Sequence, residues 1–560
     1  MKKMKIIKDI ENEIISNLSK LLKIDKKEIQ KKLEKPYFKE YGDYAFPCFI
    51  LAAKLKKQPV IIAEELSKKL IKKIKNVDIK ALNGYINFYL DKKIIATEIL
   101  NKILKEKEKY GSKNIGKKIS IEHTSLNPNS SPHVGRARNS IIGDSLARIF
   151  KFLGYKVETY YYVNDVSKQI AMIALKFKGK ENFSQLLDLY IKVNKEIKND
   201  PELENKVFDL LEKFEKGNKK VKEKFRKIVK IALEGQKKIL KEFGIIFDRF
   251  DYESSYIKKA KKILEEFKKT KRLFIDENGR FVLNEEGYNL EGKIKSPVLV
   301  LARSNGTALY ALRDIAYTID KMKRCDESYI VLGEDQKIYF HQLKIALEIL
   351  GKKAPKVIHY SYVLIEEDGK IKKQSTRSGD VILLEDFMKE AVKKAQEEIN
   401  KRKTKGDAKK IGYGAVKYAI IKQDPNKNII FKWKDALNFD GNSGPYLQYS
   451  YARASSIIKK SRIKIKKISI ENLNDYEINL IKKLSDFPLI VEEAYKHLNP
   501  SILANYSFEL CKIFNEFYHN CNVLKAEKKD KGKRIAIIEA FRIVLKNSLS
   551  LLGIEVIENM

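Results

Sequence analysis

The hydrophobic and polar positions of the chain first indicate one amphipathic helix between two strands. Its apolar face recurs at helical spacing and consists of Ile141, Ile142, Leu146, Ile149 and Phe150. The preceding residues, NPNSSP, are polar and end at Pro132, which predicts a loop before the helix. The short apolar stretches KISIEHTS and KVETYYYVND lie on either side. Together these segments predict a β-α-β unit of about 45 residues.

Three later stretches have the composition of short buried strands, and helical segments separate them. They are PVLVLARS, ESYIVLGED and KVIHYSYVLI. Strands that alternate with helices are typical of a doubly wound parallel sheet. Near the amino terminus, NGYINFYL alternates Tyr85, Asn87 and Tyr89 with apolar residues, which predicts a terminal strand in a separate small domain.

These patterns divide the chain into five predicted parts. Residues 1–115 form a small α/β domain, and residues 116–176 form the first half of the parallel-sheet domain. Lys/Glu-rich helices dominate an insertion over residues 177–290. The sheet domain resumes over residues 291–404, and residues 405–560 form an all-α domain. The predicted fold class is therefore α/β with a helical insertion and an all-α carboxyl-terminal part.

The charge of the chain adds a candidate partner. Its 560 residues include 114 Lys and Arg against 74 Asp and Glu, which gives a net charge of +40. A field of that sign favours a polyanion, so RNA or DNA is the first candidate. A composition with many solvated lysines produces the same net charge without such a partner. The 43% of hydrophobic residues indicates a globular protein rather than a disordered one.

Cysteine usage and hydropathy exclude several classes of protein. The four cysteines, Cys48, Cys325, Cys511 and Cys521, include no pair at C-x-x-C spacing. We therefore expect neither a disulfide framework nor a zinc site. The first residues, MKKMKIIKDIENEII, lack an apolar core, and no stretch approaches the length of a transmembrane helix. The sequence predicts a soluble cytoplasmic protein without a membrane partner.

His133 is the first candidate for chemistry, because it stands where the amphipathic helix begins. Unpaired backbone N–H groups and the positive end of the helix dipole converge there, which suits a phosphate. Gly135 follows two residues later and allows a ligand to approach the backbone closely. The alternative is an ordinary helix start whose histidine satisfies a local hydrogen bond.

Polar side chains cluster after the predicted strands, where open parallel sheets bind ligands. They are Glu122, Asn127, Asp165, Gln169, Tyr310, Asp314, Asp335 and Gln336. Tyr310 and Asp314 are four residues apart and share a helix face. Carboxylates suit a cationic substrate, and a guanidinium in particular, because its planar fork matches two oxygens. Each residue alone is also typical of an exposed or capping position.

A second candidate for phosphate binding is the stretch EEDGKIKKQSTRSGDVILLEDF. Asp368 and Gly369 predict a hairpin turn, after which a strand leads to Gln374. The loop that follows contains Ser375, Thr376 and Arg377. Its cations and hydroxyls are suited to close over a triphosphate and to neutralise a departing pyrophosphate. Basic loops of this composition are also commonly just solvated.

A family resemblance joins these observations. The segment SIEHTSLNPNSSPHVGRARNSIIGDSLARIF, followed by YYVNDVSKQ, resembles the signature region of class I aminoacyl-tRNA synthetases, and among them of arginyl-tRNA synthetases of archaeal or eukaryotic type. Further segments resemble that family in order along nearly the whole chain: TALYALRDIAY, KKQSTRSGDVILLEDF, GYGAVKYAIIKQDPNKNIIFKW, GNSGPYLQYSYARASSI, LANYSFELCKIFNEFYHNCNVLKAE and LLGIEVIENM. The resemblance implies a Rossmann-like catalytic domain, an N-terminal tRNA-elbow-binding domain and a C-terminal anticodon-binding bundle.

The resemblance also implies a two-step ligase. Arginine reacts with ATP, accompanied by Mg²⁺, to give arginyl-adenylate, and the arginyl group then moves to the 3′ end of arginine tRNA. His133, Gly135 and Arg136 match the first, third and fourth positions of the HIGH signature, and Lys373 and Ser375 match the start of the KMSKS loop. Together with Arg377, these residues are the predicted ATP-binding and catalytic residues.

The same resemblance assigns residues to the other substrates. The predicted arginine-binding residues are Glu122, Asn127, Tyr310, Asp314 and Gln336. The predicted tRNA contacts are Asn87 and Tyr89 in the first domain and Tyr446, Gln448, Tyr449 and Met560 in the last. Aromatic stacking is how splayed RNA bases are commonly bound, although such tyrosines equally pack between helices. Binding of tRNA by a monomer, as the family suggests, should weaken steeply with salt.

Two departures from the family motifs leave alternatives open. Arg136 stands where HIGH has its second histidine, and Gln374 and Thr376 replace the methionine and the second lysine of KMSKS. Arg377, or Lys117 or Lys118 upstream, is a possible replacement for that lysine. A catalytically inactive tRNA-binding paralogue is therefore an alternative. A small adenylyltransferase with a similar histidine loop is another, but it leaves the helical carboxyl-terminal part unexplained.

Overall fold

The fold was derived from a computed structural model that describes most of the chain. It describes residues 6–36, 39–74, 77–290, 292, 294–367, 370–372, 382–465, 468 and 470–560. The helices over these residues are α1 (Ile6–Leu22), α2 (Lys26–Lys32), α3 (Phe49–Leu55), α4 (Pro59–Ile71), α5 (Lys92–Glu106), α6 (Val134–Phe152), α7 (Lys168–Lys176), α8 (Phe183–Ile197), α9 (Pro201–Glu215), α10 (Lys219–Glu242), α11 (Ile257–Lys268), α12 (Tyr310–Met322), α13 (Lys337–Ile349), α14 (Leu384–Lys401), α15 (Ala408–Ile421), α16 (Trp433–Ala436), α17 (Gly444–Ser461), α18 (Asp475–Lys496), α19 (Ser501–Asn520) and α20 (Lys528–Leu551).

The strands over the same residues form four sheets. They are β1 (Tyr44–Pro47), β2 (Val77–Leu82), β3 (Tyr85–Leu90), β4 (Lys118–Glu122), β5 (Lys156–Val163), β6 (Arg249–Tyr252), β7 (Leu273–Ile275), β8 (Phe281–Asn284), β9 (Val298–Ala302), β10 (Glu327–Gly333), β11 (Lys356–Tyr360), β12 (Val363–Glu367), β13 (Lys370–Lys372) and β14 (Ile429–Phe431).

The largest sheet has five parallel strands in the order β11-β10-β4-β5-β6. The chain adds β5 and β6 on one side of β4 and then β10 and β11 on the other, so the strand order reverses between β4 and β10. Ligands of such sheets bind where the order reverses, beyond the carboxyl ends of the strands. The predicted doubly wound sheet is confirmed.

Apolar side chains of alternate strand residues build a core on each face of this sheet. Tyr329 and Val331 of β10 pack with the apolar face of α6 in one core. Ile330, between them, packs in the other core with residues of α11, α12 and α13. Helix α6 therefore packs on the sheet beside β4 and β10, between which the strand order reverses.

Two predictions about the sheet were wrong. PVLVLARS forms β9, which pairs with β8 in a separate antiparallel sheet of β7, β8 and β9. In its place, β6 occupies the edge of the parallel sheet, although it lies in the stretch predicted to be a helical insertion. A short apolar run specifies a buried strand but not its partner, so the pattern alone did not separate these two arrangements.

The predicted hairpin is present as the antiparallel pair β12 and β13, with Glu366 opposite Ile371. Strand β14 joins the other side of β12 in parallel. The predicted turn and the predicted loop lie outside the described residues. The predicted residues in these two segments are Asp368, Gly369, Lys373, Gln374, Ser375, Thr376 and Arg377.

The chain divides into two compact units. One contains residues 1–111, 453–489 and 509–547, and the other contains residues 112–452, 490–508 and 548–560. The first unit holds the antiparallel sheet β1-β3-β2, in which the predicted terminal strand β3 is central. The second holds the parallel sheet. Over the described residues, no helix has the length and apolarity to cross a membrane.

Candidate active site

His133 occupies the position before the first residue of α6, with an extended backbone (φ −99°, ψ 157°). A Cβ atom at Gly135 would lie 3.1 Å from the imidazole Nδ1, so the glycine leaves room for the ring above the first turn. Among the described residues, the buried Nδ1 has no hydrogen-bond partner. Burial and the nearby Arg136 lower the pKa of His133 to about 4, so the ring is neutral at pH 7.

The helix start is less open than the sequence predicts. The N–H of Val134 already donates to the carbonyl oxygen of Ile382 at 3.1 Å. The N–H of Leu384 donates to the carbonyl oxygen of Pro132 at 2.7 Å. The backbone at His133 is thus paired with the residues that come directly after the predicted KMSKS-like loop, and one of the expected free N–H groups is not free.

Arg138 makes a second connection between α6 and the base of the hairpin. Its guanidinium is fully buried and donates to the carbonyl oxygens of Ser361 (2.7 Å), Asp424 (2.8 Å) and Lys427 (2.7 Å). Ser361 lies two residues before β12. Five N–H donors in one rigid fork allow this arrangement, which no other side chain reproduces. Arg138 was not predicted as a site residue, because an arginine on an amphipathic helix normally indicates an exposed face.

A cavity of about 310 Å³ lies at the carboxyl ends of β4 and β10. Its lining brings together six predicted site residues, namely Glu122, Asn127, His133, Arg136, Asp314 and Gln336. Gln169 also lines it, and its Oε1 is buried without a hydrogen-bond partner among the described residues. Buried polar atoms without partners are rare in proteins, so Nδ1 of His133 and Oε1 of Gln169 are atoms to which a bound ligand can form hydrogen bonds.

Other predicted residues lie at or beyond the edge of this cavity. Tyr310 is 56% exposed, and its ring centroid is 5.3 Å from that of Tyr339, which does line the cavity. Asp335 is 3.9 Å from the guanidinium of Arg136. Asp165 faces away, because its carboxylate accepts hydrogen bonds from the backbone N–H and the hydroxyl of Ser254.

The two carboxylates of the cavity have different partners. Asp314 is half-buried and accepts a hydrogen bond of 2.5 Å from the hydroxyl of Tyr339. Burial raises its pKa to about 6, against the lowering effect of that hydrogen bond. Glu122 instead accepts a hydrogen bond from the ammonium of Lys321 and another, at 2.8 Å, from the hydroxyl of Tyr317. Glu122 is therefore already paired with a cation of the protein.

Tyr317 and Lys321 were not predicted as site residues, although a signal for them exists. They follow Tyr310 and Asp314 along α12 at spacings of three and four residues, which places all four on one helix face. Lys321 is only 1% exposed. A lysine near a helix end is normally solvated, so the sequence did not predict that Lys321 is buried in the site.

Comparison with known protein families accounts for this arrangement. A family model described as "tRNA synthetases class I (R), catalytic domain" matches residues 99–433. The chain belongs to the arginyl-tRNA synthetase family. The "DALR anticodon binding domain" model matches residues 447–560, and the "Arginyl tRNA synthetase N terminal domain" model matches residues 8–90. These matches confirm the resemblance found in the sequence motifs.

Relatives support the membership in the arginyl-tRNA synthetase family over the full chain. The arginine–tRNA ligase of Methanocaldococcus jannaschii is 40% identical over 572 residues, which cover 98% of this chain and 99% of the relative. That of Methanococcus aeolicus is 38% identical, with 94% and 95% covered. The arginyl-tRNA synthetase structure from Thermus thermophilus is 24% identical, with a TM-score of 0.75 over 98% of this chain and 99% of that one. It shows the same fold.

In this arginyl-tRNA synthetase family member, two predicted tRNA contacts are buried. Gln448 is 0% exposed, and its amide N–H groups donate to the carbonyl oxygens of Lys410 and Glu555. It packs so closely on Gly414 that a Cβ there would lie 2.7 Å from its Nε2. Asn87 is 1% exposed in the central strand β3. Both side chains are buried, and Asn87 Nδ2 and Gln448 Oε1 have no hydrogen-bond partner among the described residues. Their contact with a tRNA stays a prediction.

The other predicted tRNA contacts are at least partly exposed. Tyr446, Tyr449 and Met560 are half-buried. The Tyr446 ring centroid is 5.5 Å from that of Phe508. Tyr89 is half-buried, and its hydroxyl donates to the carbonyl oxygen of Glu40 at 2.7 Å. The contact of these four residues with tRNA stays a prediction, and their partial exposure is compatible with it.

Lys117 and Lys118 do not lie near the cavity. They stand at the amino end of β4, where their ammonium groups are 3.7 Å from Glu327 and 3.9 Å from Glu158, respectively. Glu122 ends the same strand, about 13 Å away at the rise of a parallel strand. The suggestion that either lysine replaces the second KMSKS lysine therefore does not fit the structure.

Proposed function

We propose that the cavity at the carboxyl ends of β4 and β10 is the active site of an arginine–tRNA ligase. One observation carries this proposal. A single cavity is lined by His133 and Arg136, where a helix begins, and by the carboxylate of Asp314. The helix start suits phosphate and the carboxylate suits a guanidinium, so the cavity matches ATP and arginine together.

The reaction proceeds in two displacements. A carboxylate oxygen of arginine attacks the α-phosphorus of ATP, and the bond between that phosphorus and the bridging oxygen of pyrophosphate breaks. A hydroxyl of the terminal tRNA ribose then attacks the carbonyl carbon of the adenylate, and AMP leaves. Both steps depend on the alignment of the reactants and on the neutralisation of phosphate charge.

The phosphate end acts through hydrogen bonds and fixed charge. His133 is neutral at pH 7 because burial lowers its pKa, so it donates an N–H to a phosphate oxygen without adding charge. Arg136 adds a permanent positive charge, and Gly135 keeps the first turn open to the substrate. Lys373, Ser375 and Arg377 are proposed to close over the phosphates from the loop after β13.

The arginine end acts through one open carboxylate and several polar side chains. Asp314 pairs with the guanidinium, while Tyr310 and Tyr339 offer aromatic faces beside it. The amides of Asn127 and Gln336 are proposed to hold the amino and carboxylate groups of the amino acid. Glu122, already paired with Lys321, forms the back wall of the site.

ATP is expected to bring Mg²⁺ on its phosphate oxygens, as is usual for phosphate substrates, and the ion adds positive charge there. For the tRNA we retain Tyr446, Tyr449 and Met560 as candidate anticodon contacts and Tyr89 as a candidate elbow contact. We further propose that the protein acts as a monomer in the cytoplasm, with the five domains predicted from the sequence.

Aminoacylation of tRNA with labelled arginine tests this function. We expect arginyl-tRNA to form with arginine tRNA and not with another tRNA, and Asp314→Asn to abolish it at low arginine concentration. Glu348→Gln, an exposed carboxylate change on α13, is the matched control. Tight binding of arginine tRNA without any charging would instead support the inactive paralogue, which neither the relatives nor the site favours.

A further inference from the structure

Glu122 and the aromatic rings beside it form a binding site for an ammonium group inside the cavity, and the ammonium of Lys321 occupies that site. Lys321 donates to Glu122, and its Nζ lies 4.8 Å from the ring centroid of Tyr317. That ring is stacked on Tyr162 with centroids 4.2 Å apart and planes inclined by 13°. All four residues line the cavity. A carboxylate beside aromatic faces is a typical environment for a cation, and here a lysine of the protein occupies it.

The other carboxylate of the cavity has no such cation. Among the ion pairs formed by described residues, none includes Asp314, whose close contacts include the hydroxyls of Tyr339 and Tyr162. The guanidinium of the adjacent Arg313 forms ion pairs with two other carboxylates, Glu253 at 2.6 Å and Glu215 at 3.2 Å. The cavity therefore offers one carboxylate that is already neutralised and one that is open to a substrate.

We propose that Lys321 determines amino-acid specificity by filling the ammonium position of the pocket, so that Asp314 alone remains for the planar guanidinium of arginine. This inference rests on the proposed function, since it concerns the choice of amino acid at the same site. It assigns to Lys321 a role in rejecting lysine, the other long cationic amino acid, rather than a role in the chemical steps.

The two substrate cations differ in what they require. The ammonium of lysine is a compact, strongly hydrated charge, and several close acceptors must replace its water. At Glu122 it would meet the like charge of Lys321, which adds repulsion against the wrong substrate. A guanidinium is planar and more weakly hydrated, so two oxygens of Asp314 and the aromatic face of Tyr310 can hold it without using Glu122.

The test compares arginine and lysine as substrates of ATP–pyrophosphate exchange in the full-length protein with tRNA present. We measure the ratio of kcat/KM for arginine to that for lysine in the wild type, in Lys321→Met and in Lys321→Gln. We expect the ratio to fall about tenfold or more in Lys321→Met, because the position beside Glu122 is vacated. Lys323→Met, an exposed change two residues later, is the matched control and should keep the wild-type ratio.

Chemical rescue separates specificity from a merely structural role. In Lys321→Ala, propylammonium replaces the missing atoms of the side chain and should restore rejection of lysine, whereas propanol should not. In the double variant Lys321→Met with Glu122→Gln, the gain in lysine activity should disappear because the carboxylate is gone.

Three results would overturn the inference. They are an unchanged ratio in folded Lys321→Met or Lys321→Gln, an equal loss of both activities, and rescue by propanol as effective as rescue by propylammonium. Failure of the proposed function is distinguishable, because the wild type itself would then show no arginine-dependent exchange.

Discussion

The backbone N–H of Val134 donates a hydrogen bond of 3.1 Å to the carbonyl oxygen of Ile382. Val134 follows the histidine at the start of α6, and Ile382 is the first described residue after the loop that carries Lys373. The reciprocal bond from Leu384 to Pro132 makes this a short two-stranded contact. The backbone at the start of α6 is therefore paired with the residues that follow the predicted KMSKS-like loop.

We predict that His133 contributes a neutral hydrogen bond. His133→Ala should lower the rate of adenylate formation about 10²-fold or more, as loss of one positioned donor typically does. His133→Asn, which keeps an N–H donor, should retain part of the rate. Because the pKa of His133 is lowered to about 4, its protonation does not change between pH 6 and pH 8. A wild-type rate that titrates near pH 6.5 and loses this dependence in His133→Asn would refute the assignment.

We predict that arginine binding weakens in acid. The pKa of Asp314 is raised to about 6 by burial, so at pH 5 only about a tenth of the free protein carries the charged carboxylate. Since only the charged form pairs with a guanidinium, the KM for arginine should rise about tenfold between pH 7.5 and pH 5. In Asp314→Asn the KM should be high at every pH, and Glu348→Gln should behave as the wild type. Equal pH dependence in wild type and Asp314→Asn would contradict this role.

We predict that Arg136 supplies positive charge that does not titrate. Arg136→Ala should reduce the rate of the first step about 10²-fold, whereas Arg136→Lys should retain more of it because the charge remains. Arg136→His should give a rate that falls as pH rises through the pKa of the introduced histidine, because the charge is then lost. Arg280→Ala, which removes an exposed guanidinium paired with Asp276, is the control. A pH-independent rate in Arg136→His would show that charge at this position does not matter.

We predict that substitution of Gln448 lowers stability and that substitution of its neighbour in α17, Tyr449, weakens tRNA binding. Gln448→Ala should lower the free energy of unfolding by about 1–3 kcal/mol, because two backbone carbonyl groups lose a buried donor. Its affinity for tRNA, measured on folded protein, should not change. Tyr449→Ala should instead weaken tRNA binding, by about 1–3 kcal/mol if the ring stacks on a base. Thermal melting and filter binding at fixed salt measure both, and reduced affinity in folded Gln448→Ala would reverse our assignment.

Local patterns were sufficient for part of the fold. The apolar spacing of α6 and the strands on its two sides is a short-range signal, and the structure confirms it. Strand β6 was missed because its four residues, RFDY, lie among long Lys/Glu-rich helices. Its pairing with Tyr160 of β5 spans nearly ninety positions of the chain. Only the tertiary fold specifies such a partner.

The site was predictable to the extent that its residues follow strand ends. Glu122, Asn127 and Gln336 meet in one cavity because parallel strands present their carboxyl ends at a common edge. Asp314 reaches the same cavity from α12. The burial of Lys321 was not predictable from composition, since a lysine near a helix end normally faces water. Its partner carboxylate lies 199 positions earlier in the chain, so no local pattern reveals the pair.

The most direct measurement of the central claim is arginine-dependent ATP–pyrophosphate exchange, with and without arginine tRNA, at low and high salt. We predict exchange with arginine when the tRNA is present, a decrease as salt weakens tRNA binding, and a sharp loss in Lys373→Ala. A protein that binds arginine tRNA but shows no exchange under any of these conditions would contradict the account and leave an RNA-binding protein without ligase activity.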